Sequence, residues 1–149
     1  MTVVAVVWGL FVAVLSFFCW GGQVVAYFAP DAGVRFGLAD DPSEVEPAFL
    51  ADARGEALWD VFTLWTLVVA GVLLAAGQEA WAYFALFGGG TYVYFAGRGV
   101  AARLAMRRRG LRIGNPGSVR VALIALSIWG VMAGITAIAA VVALIESGT

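Results

Sequence analysis

The chain has 149 residues, 62% of them hydrophobic, with a mean hydropathy of +0.93 and a net charge of −1; it is too apolar to hide its side chains inside one water-soluble core of that size. All nine basic residues are arginine, and the absence of lysine and histidine excludes a Schiff base and an imidazole ligand to haem or zinc, while the lone Cys19 excludes an intrachain disulfide or a thiolate cluster. No cofactor or metal is expected, nothing in the charge balance favours nucleic acid, and the expected solvent is a lipid bilayer.

Charges fall in blocks, leaving Met1–Pro30, Val61–Gln78 and Val121–Ile145 without any. An uncharged run of 18 or more residues can cross about 30 Å of hydrocarbon at 1.5 Å per helical residue. The first run lacks a basic beginning and a small-residue cleavage site, so it reads as a retained span rather than a signal sequence. The expected fold is an all-α bundle of four membrane helices in a single domain, at about Val3–Phe28, Ala57–Ala76, Ala80–Ala102 and Val119–Ile145. Between the first two spans, Asp41-Pro-Ser-Glu44 has the form of a capping box with proline at the first helical position. It predicts a short helix over residues 42–54 lying along the membrane interface, bending at Pro47 and Gly55 into the second span.

Orientation comes from the segment between the third and fourth spans, where Arg103, Arg107, Arg108, Arg109, Arg112 and Arg120 crowd into 18 residues. By the positive-inside rule that segment is cytoplasmic, which places both termini outside and brings the acidic loop Asp31–Glu56 to the same side. The expected location is the bacterial inner (plasma) membrane. Arg103, Arg107, Arg108 and Arg109 also suit the headgroups of anionic lipid.

Two stretches nearly repeat: WGGQVVAYFA from Trp20 and FGGGTYVYFA from Phe87 agree at five of ten positions. At a slightly smaller offset Leu64-Trp65 overlies Ile128-Trp129, so two repeated hairpins are one way to read the chain. Each glycine within a helix costs about 1 kcal/mol against alanine, and close helix contact offsets that cost in lipid. Gly21, Gly22, Gly88 and Gly89 are therefore expected to form a crossing of the first and third spans.

The charges that enter spans are the candidate site. Glu56 and Asp60 lie four apart on one helical face at the cytoplasmic end of the second span, with Arg54 just ahead, and Arg98 should reach the same depth in the third. Arg98 is expected to pair with Asp60 or Glu56, since a carboxylate at the edge of hydrocarbon is costly unless paired. No catalytic signature is present, neither nucleophile elbow nor phosphate loop nor metal-ligand set. The leading expectation is a non-enzymatic membrane protein that works by helix association, as a homo-oligomer or with another membrane protein. A small transporter or channel with a polar site at Asp60, Glu56 and Arg98 is the first alternative, and a binder or enzyme for a lipid-like molecule the second.

Overall fold

Thr2 opens α1 (Val3–Phe28) by accepting a hydrogen bond from the Ala5 amide at 3.2 Å. The helix stops at Ala29, φ −136°, because Pro30 offers no amide hydrogen and disfavours helical backbone in the residue before it. Pro30 then starts α2 (Pro30–Arg35), which was not expected. The remaining helices of this computed structural model, which describes residues 2–148, are α3 (Pro47–Thr63), α4 (Trp65–Ala75), α5 (Trp81–Arg108) and α6 (Pro116–Ser147). The turns on either side of α5 use left-handed glycines, Gly77 at φ 68° and Gly110 at φ 72°, whose neighbours return amides to carbonyls of the preceding helix: Gln78 to Leu73 at 2.9 Å and Leu111 to Met106 at 3.1 Å.

The described residues are all-helical, and three stretches are long and apolar enough to cross a membrane: α1, the joined α3–α4 segment Pro47–Ala75, and α6. Of the four expected spans, α5 does not reach that hydropathy, because Gly88, Gly89, Gly90, Gly97, Gly99 and the arginines dilute its apolar residues.

The separate interfacial helix expected over 42–54 is not formed. Asp41 accepts instead from both the amide and the hydroxyl of Ser43, at 2.8 and 2.7 Å, and closes a turn through the Glu44 amide. Val45 bridges to Ile113 in extended backbone, and the Glu46 amide donates to the Arg112 carbonyl at 2.8 Å. Only at Pro47, which fits the first helical position, does the helix begin, and it continues straight through Gly55. The acidic loop is thereby strapped to the arginine loop. Arg112 pairs with Glu46 at 3.3 Å and donates to the Ser43 carbonyl at 3.2 Å, while the Asn115 side chain donates to Glu44 at 3.1 Å.

The interruption falls instead at Leu64, where the Leu67 amide turns back to the Leu64 carbonyl at 3.3 Å. Side chains take the carbonyls at the end of α3: the Trp20 indole donates to Val61 at 3.0 Å, the Trp65 indole to Phe62 at 2.8 Å, and the Thr66 hydroxyl to Thr63 at 2.6 Å. The turn tightens there while the backbone stays right-handed helical, with Leu64 at φ −71° and ψ −22°, and such bonds satisfy the carbonyls it frees inside an apolar segment.

Helix α4 packs against α1 on one side and α5 on the other, and α5 packs in turn on α6. The tightest approach is reciprocal. A Cβ on Gly9 would stand 2.6 Å from the Ala75 nitrogen, and one on Gly71 would stand 2.6 Å from the Gly9 carbonyl oxygen. Gly88 lies against the backbone of Leu67 in α4, and Gly89 against Ala133 and Ala137 in α6. The crossing expected between Gly21-Gly22 and Gly88-Gly89 is therefore absent. A Cβ added to Gly21 would meet nothing within 4 Å, and one on Gly22 only the Leu38 side chain. Gly9 is level with Gly71–Ala75 and Gly88 with Leu67, so Gly21, displaced along α1 by about 18 Å from Gly9 at 1.5 Å per residue, lies well past Gly88. Glycines matched by the repeat do not occupy equivalent contacts.

Polar tips of buried and half-buried aromatic residues tie the helices together. The Tyr92 hydroxyl donates to the Ser16 carbonyl at 2.9 Å, the Trp129 indole to the Leu15 carbonyl at 3.1 Å, and the Trp8 indole to the Thr136 hydroxyl at 3.2 Å. Each ties α1 to α5 or α6, and in lipid such a bond contributes about 0.6 kcal/mol on average.

Candidate functional site

One face of α3 carries Asp52, Glu56 and Asp60 at successive intervals of four residues. Arg98 on α5 spreads its guanidinium between the first two, with Nη2 2.6 Å from Asp52 Oδ1 and Nη1 2.7 Å from Glu56 Oε1. Thus Arg98 does meet Glu56, but its second partner is Asp52, one turn before the expected pair. Sequence inspection missed Asp52, although its spacing from Glu56 repeats that of Glu56 from Asp60. The fork of arginine suits two carboxylates at once.

Asp60 is 3% exposed, and its Oδ2 is buried with no donor. It belongs to the same row but lies one turn deeper, just ahead of the Leu64 interruption. Arg54 is not part of the cluster. Two helical residues turn the chain by 200°, so its guanidinium stands 5.9 Å from the Tyr27 ring centroid.

Between α3 and α5 the charged side chains span a cleft of about 400 Å³ whose walls include Ala51, Gly55, Trp59 and Tyr94. Trp59 and Tyr94 are each 65% exposed, so the cleft opens on the outside of the bundle. Among the described residues, no three acid or thiol groups converge closely enough to hold a metal ion.

The basic cluster divides in the same way. Arg103 lies inward, 5.3 Å from the Phe49 ring centroid and 4.0 Å from Asp40, with Nη1 donating to the Gly99 carbonyl at 3.3 Å. It acts as a clamp between α5 and the acidic loop. Arg107, Arg112 and Arg120 line a second, larger and open cavity; Arg108 and Arg109, exposed as those three are, do not line it.

Burial holds the Asp40 carboxyl above the usual carboxylate range; Arg103 pulls it down in part, and Glu44 pushes it up further. An acid whose pKa is raised by folding favours the folded state when protonated, so its contribution declines as pH rises through its ordinary value and beyond. Asp40→Asn should therefore narrow the difference between melting temperatures at pH 4.5 and pH 7.5. An unchanged difference would contradict the burial of that carboxyl.

No family model, curated protein or solved structure matches this chain.

Proposed function

We propose that the chain crosses lipid four times, with α5 as the third span and both ends outside, and that it works by association, a second copy seating on the outward face of α5. Helix α5 has 28 residues, about 42 Å of helix, and short turns join it to apolar neighbours that it packs along. A crossing in the opposite direction to α4 and α6 is the arrangement those connections support. The observation that carries the proposal is that Gly90 and Gly97 are exposed and that a Cβ added to either would meet nothing within 4 Å. Packing inside the chain accounts for Gly88 and Gly89 but not for these two. Gly97 and Ala101 fall within about 20° of Gly90 around the helix, by 100° per residue, making one smooth strip beside Tyr94. A helix laid on that strip would also cover the cleft at Arg98, removing its charges from the edge of the hydrocarbon.

Cysteine at position 97 or 90, in a Cys19→Ala background, should give a disulfide-linked dimer in native membranes under mild oxidant. Gly21→Cys, on α1 and partly exposed, where an added Cβ also meets nothing within 4 Å, should stay monomeric. Monomers for all three, with the fold intact, would overturn the proposal.

One observation favours transport as a second reading. Asp60 is a buried carboxyl without a donor, carried on a stretch apolar enough to cross a membrane, and ionisable groups so placed in membrane proteins mark ion pathways. Ion or proton flux through reconstituted vesicles, lost in Asp60→Asn, would decide for it.

A further inference from the structure

Between the α5–α6 loop and the first turns of α6 is a cavity of about 1070 Å³ with two unlike ends. At its polar end stand Arg107, Arg112 and Arg120 with Glu44. Arg112 is already paired with Glu46, and Glu44 accepts from Asn115. Arg107 and Arg120 pair with no acid among the described residues. Two uncompensated positive charges therefore face the same space. The other end runs down α6 over Leu123, Ile124 and Ile128. Ile124 and Ile128 remain about half exposed, at 51% and 50%, on a helix apolar enough to cross a membrane. From Pro116 to Ile128 this wall descends about 18 Å at 1.5 Å per residue, a distance that passes from the headgroup region into hydrocarbon.

We propose that this cavity binds one anionic glycerophospholipid of the cytoplasmic leaflet, its phosphate between Arg107 and Arg120 and an acyl chain along Ile124 and Ile128. The proposal rests on α6 crossing the membrane with the arginine loop at its surface, but not on dimerisation through α5. Inorganic phosphate shares the charge of the headgroup and not the length of the apolar wall. A zwitterionic lipid shares the wall and not the net charge. A lipid that meets both ends satisfies the two free arginines and covers the half-exposed isoleucines together. Of the run Arg107–Arg109 only Arg107 lines the cavity, because Arg108 is turned about 100° from it around the helix and Arg109 lies past the end of α5.

The test compares two double variants that remove equal charge: Arg107→Gln with Arg120→Gln, and Arg108→Gln with Arg109→Gln. Full-length protein is placed in phosphatidylcholine nanodiscs with increasing phosphatidylglycerol, and retained lipid is counted by native mass spectrometry after detergent transfer. Wild type and the Arg108/Arg109 variant should each keep one phosphatidylglycerol. The Arg107/Arg120 variant should bind it on the order of ten- to thirtyfold more weakly, with an unchanged melting temperature in neutral lipid. Ile124→Trp, which fills the apolar end and leaves every charge in place, should weaken retention as well. Equal loss in both arginine variants would mean general surface attraction, and no loss in either would mean no headgroup site. Displacement of the lipid by millimolar inorganic phosphate would assign the arginines to the free ion. Any of these three results overturns the proposal.

Discussion

Gly71→Ala should loosen the packing of α4 on α1 and lower stability by about 2–3 kcal/mol, the upper part of the range for overpacking a well-filled contact. The added methyl would stand 2.5 Å from the Ala13 nitrogen and 2.6 Å from the Gly9 carbonyl oxygen. Both are backbone atoms of a helix, which cannot swing aside as a side-chain end would, so the helices must separate along the whole contact. In lipid that separation is costly for a particular reason. Apolar side chains gain almost nothing by leaving acyl chains for each other, and helix association depends on close contact of small surfaces. Gly9→Ala should behave alike, since its methyl meets Ala75 and Gly71 in the same crossing, and the two substitutions should not be additive. Gly55→Ala is the control. Nothing packs within 4 Å of Gly55, so the better helix propensity of alanine should stabilise by up to about 1 kcal/mol. Reversible unfolding of the full chain in mixed micelles measures all three. If Gly71→Ala unfolds together with wild type, α1 and α4 do not approach as closely as described.

The second large effect is expected at Arg98, and its informative feature is a contrast. Arg98→Leu leaves Asp52 and Glu56 facing each other without their shared cation. Complete burial would make that loss about 3–5 kcal/mol. Here the Arg98, Asp52 and Glu56 side chains keep 30%, 39% and 17% of their exposure, so water screens part of the effect and about 1–3 kcal/mol is expected. Arg98→Lys restores the charge but not the fork, and should fall between. Asp60→Asn should behave in the opposite way. Its Oδ2 is buried with no donor, so the amide gives up no partner and avoids the desolvation of a carboxylate; stability should be unchanged or higher. Should Asp60→Asn prove as damaging as Arg98→Leu, Asp60 would have to share in the ion pair. If the second reading is right, Asp60→Asn is also the variant that separates function from fold, losing flux while melting normally.

Half of the site is legible in the amino-acid sequence. Spacing of four placed Glu56 and Asp60 on one face, and depth along the third helix brought Arg98 to their level. Asp52 and Glu56 rather than Asp60 hold Arg98 because α3 starts at Pro47 and extends the row one turn outward, where the guanidinium also reaches water. Arg54, adjacent in sequence, lies across the helix and was never within reach.

Local chemistry could be read directly from the residues. Long uncharged runs dictate helices, since backbone groups in lipid must bond within their own segment. The opposite charges of the two loops foreshadow the strap between Glu46 and Arg112, whereas the third helix runs on past the expected Ala102 to Arg108, where the left-handed Gly110 follows it. What only the tertiary structure decided is partnership. The same Gly-Gly pair lies open to its surroundings at Gly21 and is pressed against α4 at Gly88, because contact depends on where each helix starts, how far it rises and how it is turned when it meets its neighbour. Those quantities accumulate over whole helices, and no short stretch of sequence contains them.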